Sequence, residues 1–270
     1  MHEYVSVNSL CLGNTTLEEQ EHMWREIAPK RISFSTSQVF EEGEDKARAI
    51  VEAGGYGVNT CSHGFCFGPL PGDEQGWQAP RESLSRAIRF ASSVGARSIY
   101  MVTGGRGERS WEEAAEIFSA ALAPCLPEAK AAGVPILIET APFLYAKVHF
   151  AHTLRDTIAL AEMAGIGVCI DIFSSWSEGG LKQIVERALP ITQLVQVGDY
   201  VWGDNAFPAR AVPGDGNIPI RQIIEWIVKG GYTKGFDLEL LGPRIANEGH
   251  VAACTRSARW VSQVLDELGA

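Results

Sequence analysis

The chain has 270 residues, 46% of them hydrophobic, and a net charge of −10, enough for one large core and too acidic for a broad nucleic-acid surface. No run of about 18 apolar residues is present, which argues against a membrane span. Met1-His2-Glu3-Tyr4 lacks the basic and apolar regions of a secretory signal. The six cysteines (Cys11, Cys61, Cys66, Cys125, Cys169, Cys254) are scattered without a CxxC pair. They predict buried thiols in a reducing cytoplasm, with no disulfide framework.

No linker, charge block or low-complexity tract divides the chain, so residues 1–270 read as a single domain in which strand-like runs alternate with helical patterns. The first run is Val5 to Leu10. Thr16, with Glu19 three places on, then marks a helix start as a capping box. The second run is Arg31 to Ser35, with Ile32 and Phe34 inward, followed by a helix over Asp45 to Ala53. The third run, Gly57 to Ser62, leads into an irregular Gly-, Pro- and aromatic-rich stretch and a helix over Arg81 to Val94. Ser98 to Thr103 is the fourth, followed by helical spacing over Trp111 to Ala132 that Pro124 and Pro127 should interrupt.

Pro135 to Thr140 is the fifth run and Gly167 to Ile172 the sixth; the helix between them, Thr153 to Ala164, stops at Gly165. A helix over Leu181 to Leu189 and a seventh run, Gln193 to Gly198, follow. The last helix–strand–helix set is Ile220 to Val228, Gly235 to Leu241 and Val251 to Leu268. Eight strands alternating with helices over this length point to a (β/α)8 TIM barrel. A doubly wound open sheet shares this local grammar, but no strand here leads into a phosphate-binding GxGxxG; Gly104-Gly105-Arg106-Gly107 is too short.

Glu139, Asp171, Gln196 and Glu239 interrupt otherwise apolar runs near the ends of the fifth to eighth strands. Polar groups in buried strands are costly unless they share a purpose. Neighbouring strands lie about 4.8 Å apart, and barrel function sits at the strands' C-terminal ends. Three carboxylates and one amide could therefore converge on one hard divalent cation, Mn²⁺ or Mg²⁺ ahead of Co²⁺ or Zn²⁺. The alternative is four separate polar groups, each bonded to its own barrel neighbours.

Five segments together resemble the sugar phosphate isomerase/epimerase family of xylose-isomerase-like barrels, which includes hydroxypyruvate isomerase and ketose 3-epimerases. They are Ile138-Glu139-Thr140, Cys169-Ile170-Asp171, Val195-Gln196-Val197-Gly198-Asp199, Val212-Pro213-Gly214-Asp215-Gly216-Asn217-Ile218-Pro219 and Leu238-Glu239-Leu240. The resemblance implies one divalent metal held by Glu139, Asp171, Gln196 and Glu239. Glu139 and Glu239 would also exchange a proton with an α-hydroxycarbonyl substrate through an enediolate. His63, Arg210, Trp202 and Arg244 are the expected substrate contacts, and Asp199 an anchor for the loop or for Gln196.

Two features depart from the family. Ser174 stands three places after Asp171, where many members have His, and the loop from Gln196 to Pro213 is long and carries Trp202 and Phe207. Aromatic residues on several βα loops could form a water-excluding lid, bind a bulky or aromatic substrate, or pack between loops or subunits. The same first step could instead end in elimination, as in a dehydratase or carbon–oxygen lyase acting on a related glycosidic or aromatic compound. An endonuclease IV-like phosphodiesterase needs His ligands that this chain lacks, and a non-catalytic barrel would bind no metal. The expected partner is a small molecule, with a homo-oligomer implied by relatives.

Overall fold

In the computed structural model, which describes residues 1–270, all eight expected strands form: β1 (Val5–Asn8), β2 (Arg31–Ser35), β3 (Gly57–Gly64), β4 (Ile99–Val102), β5 (Ile136–Glu139), β6 (Gly167–Asp171), β7 (Thr192–Val197) and β8 (Gly235–Leu238). Every neighbour is parallel, and β1 pairs with β8 through Ser6↔Asp237, which closes the sheet into a barrel and rules out the open-sheet alternative. The helices of the outer ring include α1 (Leu17–Ile27), α2 (Thr36–Glu42), α3 (Glu44–Gly54), α4 (Gln78–Ser93), α5 (Trp111–Leu122) and α6 (Leu126–Ala131). They continue as α7 (Leu154–Ala164), α8 (Ile172–Ser175), α9 (Leu181–Ala188), α10 (Ile220–Lys229), α11 (Pro243–Glu248) and α12 (His250–Leu268). No helix is long and apolar enough to cross a membrane.

Local chemistry sets several boundaries. Thr16 and Glu19 form the expected capping box at α1, and Gly165 ends α7 in the left-handed conformation. The helical stretch from Trp111 breaks into α5, a tight turn containing Pro124, and α6, because proline cannot donate the interior hydrogen bond. Sequence periodicity missed α2, which starts directly where β2 ends. It also missed a two-residue antiparallel ladder, Asp199–Tyr200 with Arg210–Ala211, at the base of the long loop.

Alternation along the strands separates two interiors. Ile136 and Ile138, Val168 and Ile170, Val195 and Val197, and Phe236 and Leu238 join the large apolar core between barrel and helices. Fully burying each such side chain stabilises by about 1.5–3 kcal/mol. The residues between them face the barrel axis. On one side Tyr100, Leu137, Cys169 and Leu194 form a separate apolar layer. On the other side the filling is polar: Asp237 accepts from Ser6 Oγ (2.5 Å), Asn8 Nδ2 (2.7 Å) and Ser33 Oγ (2.7 Å), while Asn59 Nδ2 donates to Ser6 Oγ (2.8 Å). The expected inward pair on β2, Ile32 and Phe34, belongs to the outer apolar core. Ser33 takes the axial place, because successive residues of a strand face opposite sides.

The turn after β8 is tight. Gly242 has φ +112°, and a Cβ there would lie 2.0 Å from the carbonyl oxygen of Pro208. Gly242→Ala should therefore destabilise the fold by about 2 kcal/mol or more, read as a lower urea midpoint at unchanged slope.

Candidate active site

The axial alternation carries Glu139, Asp171, Gln196 and Glu239 to the C-terminal end of the barrel. Asp171 and Asp237 both pair with Gln196 across their strands, so the three share one level. Glu239 lies two residues beyond Asp237 on the same face. Glu139, Asp171 and Glu239 are buried, and each offers a carboxylate oxygen within 4.8 Å of the others.

One guanidinium enters this cluster. Arg210, buried on the short ladder, donates from Nη1 to Asp171 Oδ1 (3.0 Å) and from Nη2 to Asp171 Oδ2 (2.8 Å). Nη2 also stands 2.8 Å from Glu239 Oε2. That second contact is an ion pair without a hydrogen bond, since Glu239 Oε2 has no aligned donor. The guanidinium lies 4.5 Å over the ring of Phe173. Gly198 makes room for it: a Cβ there would lie 3.2 Å from Nη1 and 2.8 Å from the Glu239 carbonyl oxygen. Asp199 fixes the loop that delivers Arg210, accepting from the backbone N–H groups of Tyr200, Gly214, Gly216 and Ile218.

Burial and like charge raise the carboxyl pKa values. Glu139 is pushed well above the usual range by burial, then by Glu239 and Asp171, against the weaker opposing pull of Arg210. Burial raises Glu239 to about 7 against the opposing pull of Arg210. Asp237, at the polar floor, is raised by burial to about 6 even though Ser6, Ser33 and Asn8 donate to it. For Arg210, burial opposes the charge, but Asp171 and Glu239 outweigh it and raise its pKa.

Gln196 is fully buried; its Oε1 accepts from the Cys169 thiol (3.2 Å), and its Nε2 has no partner. Turning the amide end for end leaves Nε2 able to donate to the same sulfur and brings an oxygen to the orphaned side. The three clustered carboxylates form a hard-oxygen set that could hold a divalent cation. All six cysteines are free and buried, and none joins the donor set.

A cleft of about 320 Å³ opens above the cluster and is lined by Glu139, Glu239, Arg210, His63, Tyr100 and Tyr145 among others. Thr36 Oγ1 donates to the Ser62 carbonyl (2.9 Å) and meets His63 Nδ1 at 2.9 Å. The hydroxyl proton is already engaged, so His63 donates from Nδ1 and leaves Nε2 as a bare acceptor. Nε2 has no protein partner, and burial lowers the His63 pKa to about 4, so the ring is neutral near pH 7.

Two expected contacts lie elsewhere. Trp202 is exposed and is absent from the cleft wall. The Nε of Arg244 donates to Asp204 Oδ2 (2.6 Å), which holds its guanidinium at the half-exposed rim. His149 and His152 bond to loop carbonyls, at Ala151 and Ala141. Among the loop aromatics, Phe65 and Trp77 stack in the core at 5.6 Å, while Phe67, Phe143, Trp202 and Phe207 are exposed.

The barrel and its carboxylate cluster define a class, and the sequence profile of the xylose isomerase-like TIM barrel family matches residues 22–262. The chain belongs to that family. A protein of Sinorhizobium meliloti 1021 is 25% identical and superposes with a TM-score of 0.83 over 95% of this chain and 98% of its own. The IOLI protein, solved with a bound zinc atom, is 14% identical with a TM-score of 0.82 over 98% and 99%. The Escherichia coli 3-keto-D-glucoside 4-epimerase is 15% identical with a TM-score of 0.77 over 96% and 99%. No curated protein matches the sequence.

Asp237 gives this site a measurable pH signature. Its folded pKa of about 6 lies above the ordinary value of about 3.9. Between those values the folded chain holds a proton that the unfolded chain releases, so stability falls as pH rises through the window. Relative to Asp237→Asn, the wild type should lose about 2 kcal/mol between pH 4 and pH 7. Paired urea titrations in chelator would show this as a widening gap in favour of the variant, and a constant gap would contradict it.

Proposed function

We propose that this barrel is a divalent-metal-dependent isomerase or epimerase of a sugar-like α-hydroxycarbonyl compound. The observation that carries the reading is the buried set Glu139, Asp171 and Glu239, gathered within 4.8 Å at the catalytic end of the barrel. The family fold supports it, as do relatives whose names record epimerase activity. Glu139, Asp171, Glu239 and, through its amide oxygen, Gln196 would hold the cation. When bound, the ion supplies Lewis-acid polarisation of adjacent carbonyl and hydroxyl oxygens.

The remaining chemistry belongs to the chain. Glu139 and Glu239 both line the cleft and are the candidate acid–base pair. Their raised pKa values bring proton exchange toward neutral pH. One Glu takes the proton from the carbon between carbonyl and hydroxyl, and the other returns one. His63 Nε2 accepts a hydrogen bond from a substrate hydroxyl, and Arg210 supplies positive charge beside oxygens that become anionic. The apolar wall of Leu10, Val102, Pro142 and Leu241 excludes water from that face.

The test is to incubate the Mn²⁺-loaded protein with a panel of ketoses and 3-keto-glucosides in D₂O. Solvent deuterium should enter the carbon next to the carbonyl. Glu139→Gln and Glu239→Gln should each lower the rate by about 10²–10⁴-fold. A product lighter by one water would assign the site to elimination, and no exchange with any α-hydroxycarbonyl compound would overturn the reading.

A further inference from the structure

Asp171 is saturated with donors. Oδ1 accepts from Phe173 N–H (3.1 Å) and Arg210 Nη1 (3.0 Å), while Oδ2 accepts from Arg210 Nη2 (2.8 Å) and from the Ser174 hydroxyl. An ionised carboxylate offers about four lone-pair positions, so no free position remains for a cation while the guanidinium is seated. The same guanidinium also gives Glu239 its closest positive charge. The side chain that neutralises the cluster thus occupies the oxygens that a divalent ion would need.

We propose that Arg210 and the divalent ion are alternative counter-ions of this cluster. Metal binding displaces the guanidinium from Asp171, and the released head becomes the cation that receives the substrate's oxygens. The proposal rests on the metal-site reading above and adds that binding there requires an internal exchange.

The surroundings suit a side chain that moves on a fixed base. The Arg210 backbone is held by the ladder with Asp199–Tyr200 and by an N–H bond to the Leu241 carbonyl (3.1 Å). The Phe173 face offers the guanidinium a surface on which it can shift without losing all favourable contact. Arg210 already lines the cleft, so the displaced head stays beside the substrate. Phe173 N–H and Ser174 Oγ remain on Asp171 after the exchange and keep its carboxylate oriented. Coupling of this kind is reciprocal: an anion that engages Arg210 tightens the metal, and the metal tightens the anion.

The test is calorimetric titration of chelator-stripped protein with Mn²⁺, checked by electron paramagnetic resonance of the free ion. Removing the competing hydrogen-bonded cation in Arg210→Met should tighten Mn²⁺ binding by about 10- to 100-fold. Arg210→Lys keeps the charge without the two-pronged contact and should fall between. Mn²⁺ should also raise the melting temperature of Arg210→Met by more than that of the wild type. Equal or weaker binding by a folded Arg210→Met would overturn the exchange; if Glu139→Gln still weakened binding, the metal site itself would stand. Absence of Mn²⁺ binding in the wild type and in both variants would overturn site and exchange together. Should Arg210→Met fail to fold without metal, Arg210→Lys decides: tighter than wild type supports the exchange, and equal or weaker overturns it.

Discussion

Three buried carboxylates share one corner of the barrel with a single guanidinium, and much of the barrel's C-terminal face is arranged around that imbalance. Carboxylates within 4.8 Å of one another repel strongly where water cannot screen them. Arg210 is therefore placed with care. Asp199 gathers four backbone N–H groups to fix its loop, Gly198 leaves it space, and Phe173 supports it from one face. Burial raises the pKa values of Glu139 and Glu239, and the charge of Arg210 opposes that rise only in part. A single cation for three acids leaves a buried cluster whose charge is only partly balanced.

The divided barrel interior follows from the same constraint. Tyr100, Leu137, Cys169 and Leu194 fill one side without polar cost, except for the Tyr100 hydroxyl and the Cys169 thiol. Both exceptions face polar neighbours: Asn8 Nδ2 donates to the Tyr100 oxygen (3.3 Å), and the thiol donates to Gln196. Asn8 also donates to Asp237, so one side chain joins the polar floor to a residue of the cleft wall. Where such a buried network is satisfied, as it is around Asp237, it fixes geometry more firmly than an apolar filling. Gln196, at the level of Asp171 and Asp237, is the member left with an unused atom, and it belongs to the expected donor set.

Much of this was legible in the sequence. The eight runs announced the barrel, and a polar residue in phase near the strand ends announced Glu139, Asp171 and Glu239, which the fold gathers into one cluster; Gln196, expected with them, is buried against Cys169. Asp237 carried the same signal, two places before Glu239 and opposite alternating Ser6, Asn8 and Ser33, but attention to strand ends passed over a network one level below Glu239. The seating of Arg210 was not legible, because it joins residues 39 apart through a loop whose course depends on Asp199. Arg244 and Trp202 occupy the expected end of the barrel, yet a neighbouring acid holds one at the rim and the other stays exposed. Spacing fixes which end of a barrel a residue occupies, whereas its orientation depends on partners distant in sequence.

Ser174 shows how one departure from the family pattern can be read physically. Where many relatives have His, this chain has a hydroxyl that donates to Asp171. The position therefore serves the carboxylate and presents no imidazole to the cleft. His63, on β3, is the histidine that lines the cleft, with its Nδ1 proton directed to Thr36 and its Nε2 lone pair free. Under the proposed function, a neutral acceptor at His63 and a cation at Arg210 would divide the labour of recognition: one would meet a hydroxyl that keeps its proton, the other an oxygen that gains charge. An α-hydroxycarbonyl compound presents both kinds of oxygen on adjacent carbons, so these two residues would suit the substrate class proposed for the carboxylates between them.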